Sequence, residues 1–271
     1  MTSKSPDGSK FANLLITGAA GVLGKVLRSY ASNFAARVRI TDMAPLDDLE
    51  PHEEAITGDL AEREFVASLT KDVDAVVHLA AVTSEQSFDD IVRSNIVATQ
   101  NIFSEAQKAG VRRVVWGSSN HAIGFYSTRD TIGVDAAPRP DSLYGVSKAS
   151  GEALAQFYWE KFGLESVSIR IGSCVERPMN TRMLATWLSY PDFLRLIEAA
   201  LLAPKVGHSV IYGVSANDAR FWDNSGAEHI MFQPVDNAER FRAQIECEHA
   251  DGDDNSPLLR YHGGDFVVTG R

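Results

Sequence analysis

The stretch "LLITGAAGVLG", residues 14–24, constrains this chain more than any other. A short apolar run ends at Thr17, and Gly18, Gly21 and Gly24 follow with two residues between each pair. A strand that turns through glycines into a helix leaves backbone N–H groups and the positive helix end uncovered, a natural seat for a phosphate-bearing ligand. Val22 and Leu23 fall inside the same loop and belong to the same candidate site. Glycine clusters also mark plain turns, so the surrounding sequence decides the meaning of this one.

That surrounding sequence is an alternation. The runs "FANLLIT", "ARVRIT", "DAVVHLAA", "RRVVWGSS" and "ESVSIR" read as strands separated by amphipathic stretches between Phe11 and about Arg170. The pattern predicts an α/β chain with a Rossmann-type, doubly wound parallel sheet carrying helices on both faces. Residues 90–109 place Ile91, Asn95, Ile96, Thr99, Ile102, Phe103 and Ala106 at helical spacing, with Gly110 as a stop. A second helix is expected over 142–162, closed by Gly163. After Ser173 the rhythm loosens, punctuated by Pro178, Pro191, Pro204 and Pro234. The expected organisation is a tail over 1–10, a dinucleotide-binding domain over 11–172, and a small substrate-binding C-terminal region over 173–271 packed on the same domain.

Asp42 closes the strand after the glycine loop, at the spacing where a carboxylate can bond both hydroxyls of an adenosine ribose. Its charge would repel a 2′-phosphate, and no Lys or Arg follows at once to compensate, so the cofactor expected is NAD rather than NADP. A net charge of −10 argues against nucleic acid or an anionic membrane surface as partner. The acidic run "ECEHADGDDNSP" reads as a solvated loop. The two cysteines, Cys174 and Cys247, lie far apart and suggest neither a disulfide framework nor a thiolate metal site. No apolar stretch reaches the roughly 20 residues of a membrane span, and the opening "MTSKSPDGSK" is polar, so the expected compartment is the cytoplasm.

In "YGVSK", Tyr144 and Lys148 stand at i and i+4 on one face of the second expected helix. A phenol titrating near 10 is a poor base, and a neighbouring ammonium would favour its phenolate. The strand upstream ends in Ser118, Ser119, Asn120 and His121, polar side chains at the carboxyl end of a parallel strand, where such sheets bind ligands. His78 has no partner histidine and reads as a core or cofactor-adjacent residue. Trp187, Phe221 and Trp222 could wall the site, though aromatic residues at such spacing more often fill a core.

The combination of TGxxGxxG with YxxxK resembles the short-chain dehydrogenase/reductase superfamily. The resemblance places Asp59 and Leu60 of "GDL" against the adenine, Leu79, Ala80 and Ala81 of "HLAA" along the cofactor ribose, and Asn95 in the following helix among the cofactor residues. It gives Tyr144 the role of base, Lys148 that of its partner and ribose ligand, and a strand-end serine the hold on the reacting oxygen. Ser119 takes that place and Ser118 is then structural, though the strand end alone leaves either hydroxyl open. Finer wording, "SSNHAIGFY", "RPDSLYGVSKASGE", "RIGSC", "RMLATWLS" and "SANDARFWDNS", resembles uronate dehydrogenases from about Leu14 to Val267. That implies oxidation of C1 of D-glucuronate or D-galacturonate with NAD, to an aldarolactone. It also implies a substrate pocket of Thr83, Ser119, Asn120, His121, Tyr144, Ser173 and Arg182, with Arg182 reading the carboxylate and threonine standing at 83 where serine is common. Association into a homo-oligomer through the sheet-covering helices is expected on the same ground. Two other readings share the motifs. A nucleotide-sugar epimerase or dehydratase usually needs a longer C-terminal part, and a non-catalytic NAD-sensing regulator usually lacks the Tyr or Lys present here.

Overall fold

The computed structural model describes residues 11–248 and 256–269; the expected tail over 1–10 and the middle of the acidic run lie outside the described residues. Seven parallel strands form the central sheet: β1 Phe11–Thr17, β2 Ala35–Thr41, β3 Glu53–Ala55, β4 Ala75–His78, β5 Arg113–Ser119, β6 Glu165–Ile171 and β7 His208–Gly213. Their order across the sheet is β3-β2-β1-β4-β5-β6-β7. The order reverses between β1 and β4, and the crevice above that point is where such sheets take ligands.

Each strand alternates its core. Leu14, Ile16, Ala75, Val77 and Val115 point to one face, while Leu15, Val76, Val114 and Trp116 point to the other. Both faces are apolar because both are covered, as a parallel sheet requires. The first face packs on α1 (Val22–Arg28) and on α7 (Tyr190–Leu202), the latter through Phe193, Leu196 and Ile197. The second packs on α2 (Arg63–Thr70), α4 (Ala98–Ala109) and α5 (Leu143–Phe162). Two further helices of four residues each are α3 (Phe88–Ile91) and α6 (Met183–Thr186). Among the described residues no helix is long and apolar enough to cross a membrane.

The five strands read from the sequence are present, and β3 and β7 are additions. β3 has only three residues, "EEA", with no apolar alternation to betray it. β7 extends the same sheet from the irregular stretch after residue 173, pairing with β6 from Ser166↔His208 to Ile171↔Gly213. The helix expected over 90–109 begins at Phe88 and passes through a π turn at Val92–Val97. Gly110 and Gly163 end α4 and α5 in the left-handed conformation, with φ of 75° and 74°. Trp187, Phe221 and Trp222 are buried, and Trp222 stacks on Tyr212 with ring centroids 5.4 Å apart.

Candidate active site

Strand register sets the floor of the crevice. Thr17 stands level with Thr41 and with His78, and His78 with Trp116, so β5 runs three residues further, through Gly117, Ser118 and Ser119. Helix α5 lies along that extension because Gly151 leaves room for the Trp116 ring, which a Cβ there would strike. Three successive groups of β5 then meet three successive turns of α5. The Ser119 hydroxyl, which accepts the His121 N–H at 3.2 Å, lies within reach of the Tyr144 phenol, the Gly117 carbonyl accepts from Lys148 Nζ at 2.6 Å, and Ser118 Oγ donates to Glu152 Oε1 at 2.7 Å. Glu152 is itself clamped by Arg170, from Nε at 2.9 Å and from Nη2 at 2.8 Å. Ser118 is thus engaged in the buried lattice and Ser119 is the hydroxyl beside the tyrosine.

These groups wall a cavity of about 710 Å³ that runs from the glycine loop to the end of β5. Gly18, Gly21, Val22, Leu23 and Gly24 form one end, with Asp42, Asp59 and Leu60 beside them. Leu79, Ala80, Ala81 and Thr83 form the middle, and Ser119, Asn120, His121, Tyr144 and Lys148 the far end. Gly18 has φ of +74°, and a Cβ on Gly24 would collide with the Gly18 carbonyl, so the turn closes only with glycine at both positions. Asp42 also supports the loop: its Oδ2 accepts the Ala20 N–H at 3.0 Å and its Oδ1 the Ala44 N–H at 3.1 Å. Asp59 accepts from Arg93 Nη2 at 2.7 Å.

Three expected ligand residues are placed elsewhere. Asn95 sits in the π turn behind the cavity wall, where its amide exchanges two hydrogen bonds with the Val82 backbone and donates to Ser147 Oγ at 3.0 Å. It ties the 79–83 loop to α5 rather than reaching the cavity. Arg182 donates from Nε and Nη2 to the His262 carbonyl, which also accepts from Asn120 Nδ2 at 3.1 Å. Ser173 lies beside it, its hydroxyl paired with Thr186 Oγ1 at 2.8 Å. The His262 carbonyl belongs to the C-terminal segment, which adds Phe266 to the cavity wall. His78 is core, held between Thr17 Oγ1 at 2.6 Å and Thr99 Oγ1 at 3.2 Å.

Burial governs the charges here. It pushes the Tyr144 phenol up to about 12, against the opposing pull of the Ser119 hydrogen bond, and the Asp141 charge adds to the rise. Burial also brings the Lys148 ammonium down to about 7, with the Glu152 carboxylate resisting. The expectation that Lys148 draws the phenol down is not met in this structure. The ammonium lies 5.5 Å from the Tyr144 ring centroid and its donor is turned to Gly117. Burial lowers Arg182 to about 10 and His262 to about 4.

Several residues at and around the site had no sequence signal. Glu85 accepts the Leu143 N–H at 3.1 Å and the Tyr144 N–H at 3.3 Å, capping α5 from outside, beside the Ser142 hydroxyl that accepts from Gly145 at 3.0 Å. Met43, Ser94, Ile171, Gly172 and Phe266 line the cavity through tertiary proximity alone.

Known proteins carry the same frame. The model of the NAD dependent epimerase/dehydratase family matches residues 14–188. A uronate dehydrogenase from Pseudomonas putida is 46% identical over 96% of this chain and 97% of its own. The crystal structure of glucuronic acid dehydrogenase from Chromohalobacter salexigens superimposes with a TM-score of 0.94 at 42% identity, covering 96% of this chain and 98% of its own. Uronate dehydrogenase from Agrobacterium tumefaciens, as a tyrosine-to-alanine mutant complexed with NAD, gives 0.92 at 44% identity, over 95% and 97%.

Proposed function

Since this chain belongs to the NAD dependent epimerase/dehydratase family, alongside the uronate dehydrogenases, we propose that it oxidises C1 of D-glucuronate and/or D-galacturonate with NAD, yielding the aldarolactone and NADH. The observation that carries the reading is the meeting of Ser119, Tyr144 and Lys148 in one cavity with the glycine loop and Asp42. The loop backbone fits a pyrophosphate and the Asp42 carboxylate fits an unphosphorylated ribose. NAD, when bound, supplies the hydride acceptor for C1.

The chain's own residues handle the proton. Tyr144 Oη takes it from the C1 hydroxyl as C1 gives up its hydride, and the C1–O bond becomes the lactone carbonyl. Ser119 holds the reacting oxygen by hydrogen bond. Lys148 holds the Gly117 carbonyl in this structure; turned from it, the ammonium would bond the ribose of bound NAD, and its charge, 5.5 Å from the Tyr144 ring centroid, would then favour the phenolate that takes the proton. Asn120 and His121 receive the sugar hydroxyls at the far end, with Thr83 opposite. Arg182 anchors the carboxylate by exchanging the His262 carbonyl for the substrate, a bidentate geometry that guanidinium favours. Asn95 contributes by fixing the loop.

The test is NADH formation by the purified protein, with NAD or NADP, on D-glucuronate, D-galacturonate, glucose and UDP-glucose. Reduction of NAD by the free uronates alone is expected. Inactivity on both, in a protein that still binds NAD, refutes the substrate and favours the nucleotide-sugar or regulatory reading. Self-association belongs to the same proposal: the outer face of α5 exposes Val146, Phe157 and Phe162, and light scattering should exceed the 29.6 kDa of one chain. The cytoplasm is the compartment proposed, and fractionation tests it.

A further inference from the structure

The His121 ring is held from three sides. Phe266 packs against it with centroids 3.9 Å apart, Tyr144 lies edge-on at 5.6 Å, and Asp141 Oδ2 meets Nδ1 at 2.9 Å. The Asp141 side chain has no solvent exposure, whereas the imidazole is 14% exposed and borders the cavity. Its carboxylate is set between two backbone segments that must carry no side chain: a Cβ on Gly124 or on Gly263 would overlap Oδ2. The other oxygen, Oδ1, accepts from Ser142 Oγ at 2.8 Å, the same hydroxyl that caps α5. Asp141 therefore has one fixed place and one fixed set of partners. Nothing in the sequence patterns marked it.

An ionised carboxylate can only accept, so the imidazole nitrogen facing it carries a hydrogen. In neutral His121 that leaves the Nε2 lone pair for a ligand. We infer that Asp141 is a positioning residue that locks His121 in the Nδ1-protonated tautomer, making Nε2 an acceptor that selects a donating sugar hydroxyl. The inference rests on the sugar reading of the cavity for the identity of that hydroxyl.

Replacement by Asn separates the roles. The Ser142 hydroxyl keeps its acceptor if the amide oxygen stays on that side, which turns the NH₂ toward Nδ1 and moves the ring hydrogen to Nε2. The expected result for Asp141→Asn is a uronate KM raised about tenfold, the scale of one hydrogen bond to a charged or ordered partner, with NAD affinity unchanged. On a His121→Ala background the same change should add less than about twofold, because Asp141 acts through His121. Imidazole ¹³C and ¹⁵N shifts read the tautomer directly in the unmodified protein without substrate, His121→Gln assigning the signal. An Nε2–H tautomer there overturns the inference even if the Asn variant fails to fold. So does an equal KM penalty on both backgrounds, or a parallel loss of NAD affinity. An Nδ1–H signal in a protein inactive on both uronates supports the Asp141 assignment and removes the sugar reading. An Nε2–H signal in an active protein removes Asp141 alone.

Discussion

Replacing Glu152 by Ala should be among the most damaging single changes outside the reacting groups. The side chains of Glu152 and Arg170 are 7% and 3% exposed, so their attraction is little screened and neither charge has water to fall back on. Removing one partner of such a pair costs about 3–5 kcal/mol because the other charge stays buried. The Ser118 hydroxyl loses its acceptor too. A domain of this kind is stabilised by about 5–15 kcal/mol in total. A loss near 4 kcal/mol should lower Tm by roughly 10 °C for a chain of this size. Urea denaturation at fixed protein concentration measures it. The companion variant is Glu152→Ala with Arg170→Met, which removes the orphaned charge. It should recover much of the loss, though not all, since Arg170 also donates to the Ala136 carbonyl at 3.2 Å and to the Tyr212 hydroxyl at 3.2 Å. A coupling of about 2 kcal/mol is expected from the cycle. A single-variant loss under about 1 kcal/mol, or strict additivity, would refute the buried-pair reasoning. The Ala variant also withdraws the negative charge that resists the fall of the Lys148 ammonium, moving that group further down.

Three other outcomes are expected. Tyr144→Phe should cut turnover by about 10²–10⁴-fold while a fluorescence titration shows NAD binding intact; retained turnover removes the tyrosine from its role. Asp42→Ser should weaken NAD about tenfold and raise the relative use of NADP, because the carboxylate both repels a 2′-phosphate and holds the Ala20 N–H; an unchanged cofactor ratio contradicts this. His78 is neutral in the fold, brought down to about 3 by burial and then by the Lys148 charge, against 6.5 for the free group. Between those values the unfolded chain holds a proton that the folded chain does not, so stability is full above about pH 6.5 and falls toward pH 3, by roughly 5 kcal/mol from this residue. Urea midpoints across that range should flatten in His78→Gln, and an unchanged slope would place the acid sensitivity elsewhere.

The glycine-loop half of the cavity was legible because its determinants are local. A strand, a glycine turn and a helix are contiguous from Phe11 to Arg28, and Asp42 ends the next strand. Tyr144 and Lys148 share one helix turn, so their juxtaposition follows from helical period alone. The seventh strand was hidden, since "HSVIYG" follows a proline-punctuated stretch and its place at the sheet edge is settled by pairing with β6.

Periodicity and spacing by themselves determined the parallel sheet, the glycine loop, the acidic residue at the end of the second strand and the Tyr/Lys pair. Tertiary structure decided which of two adjacent serines faces the tyrosine, since Ser118 is taken by a glutamate two helix turns beyond Tyr144. It decided that Asn95 ties a loop, that Arg182 rests on a main-chain carbonyl from residue 262, and that Asp141 orders His121 between Gly124 and Gly263. The division is physical. Backbone geometry repeats every two or 3.6 residues and writes itself into a local pattern, whereas burial, charge compensation and close approach join residues at irregular separations, from 20 positions for His121 and Asp141 to 142 for Asn120 and His262, and leave no period to read.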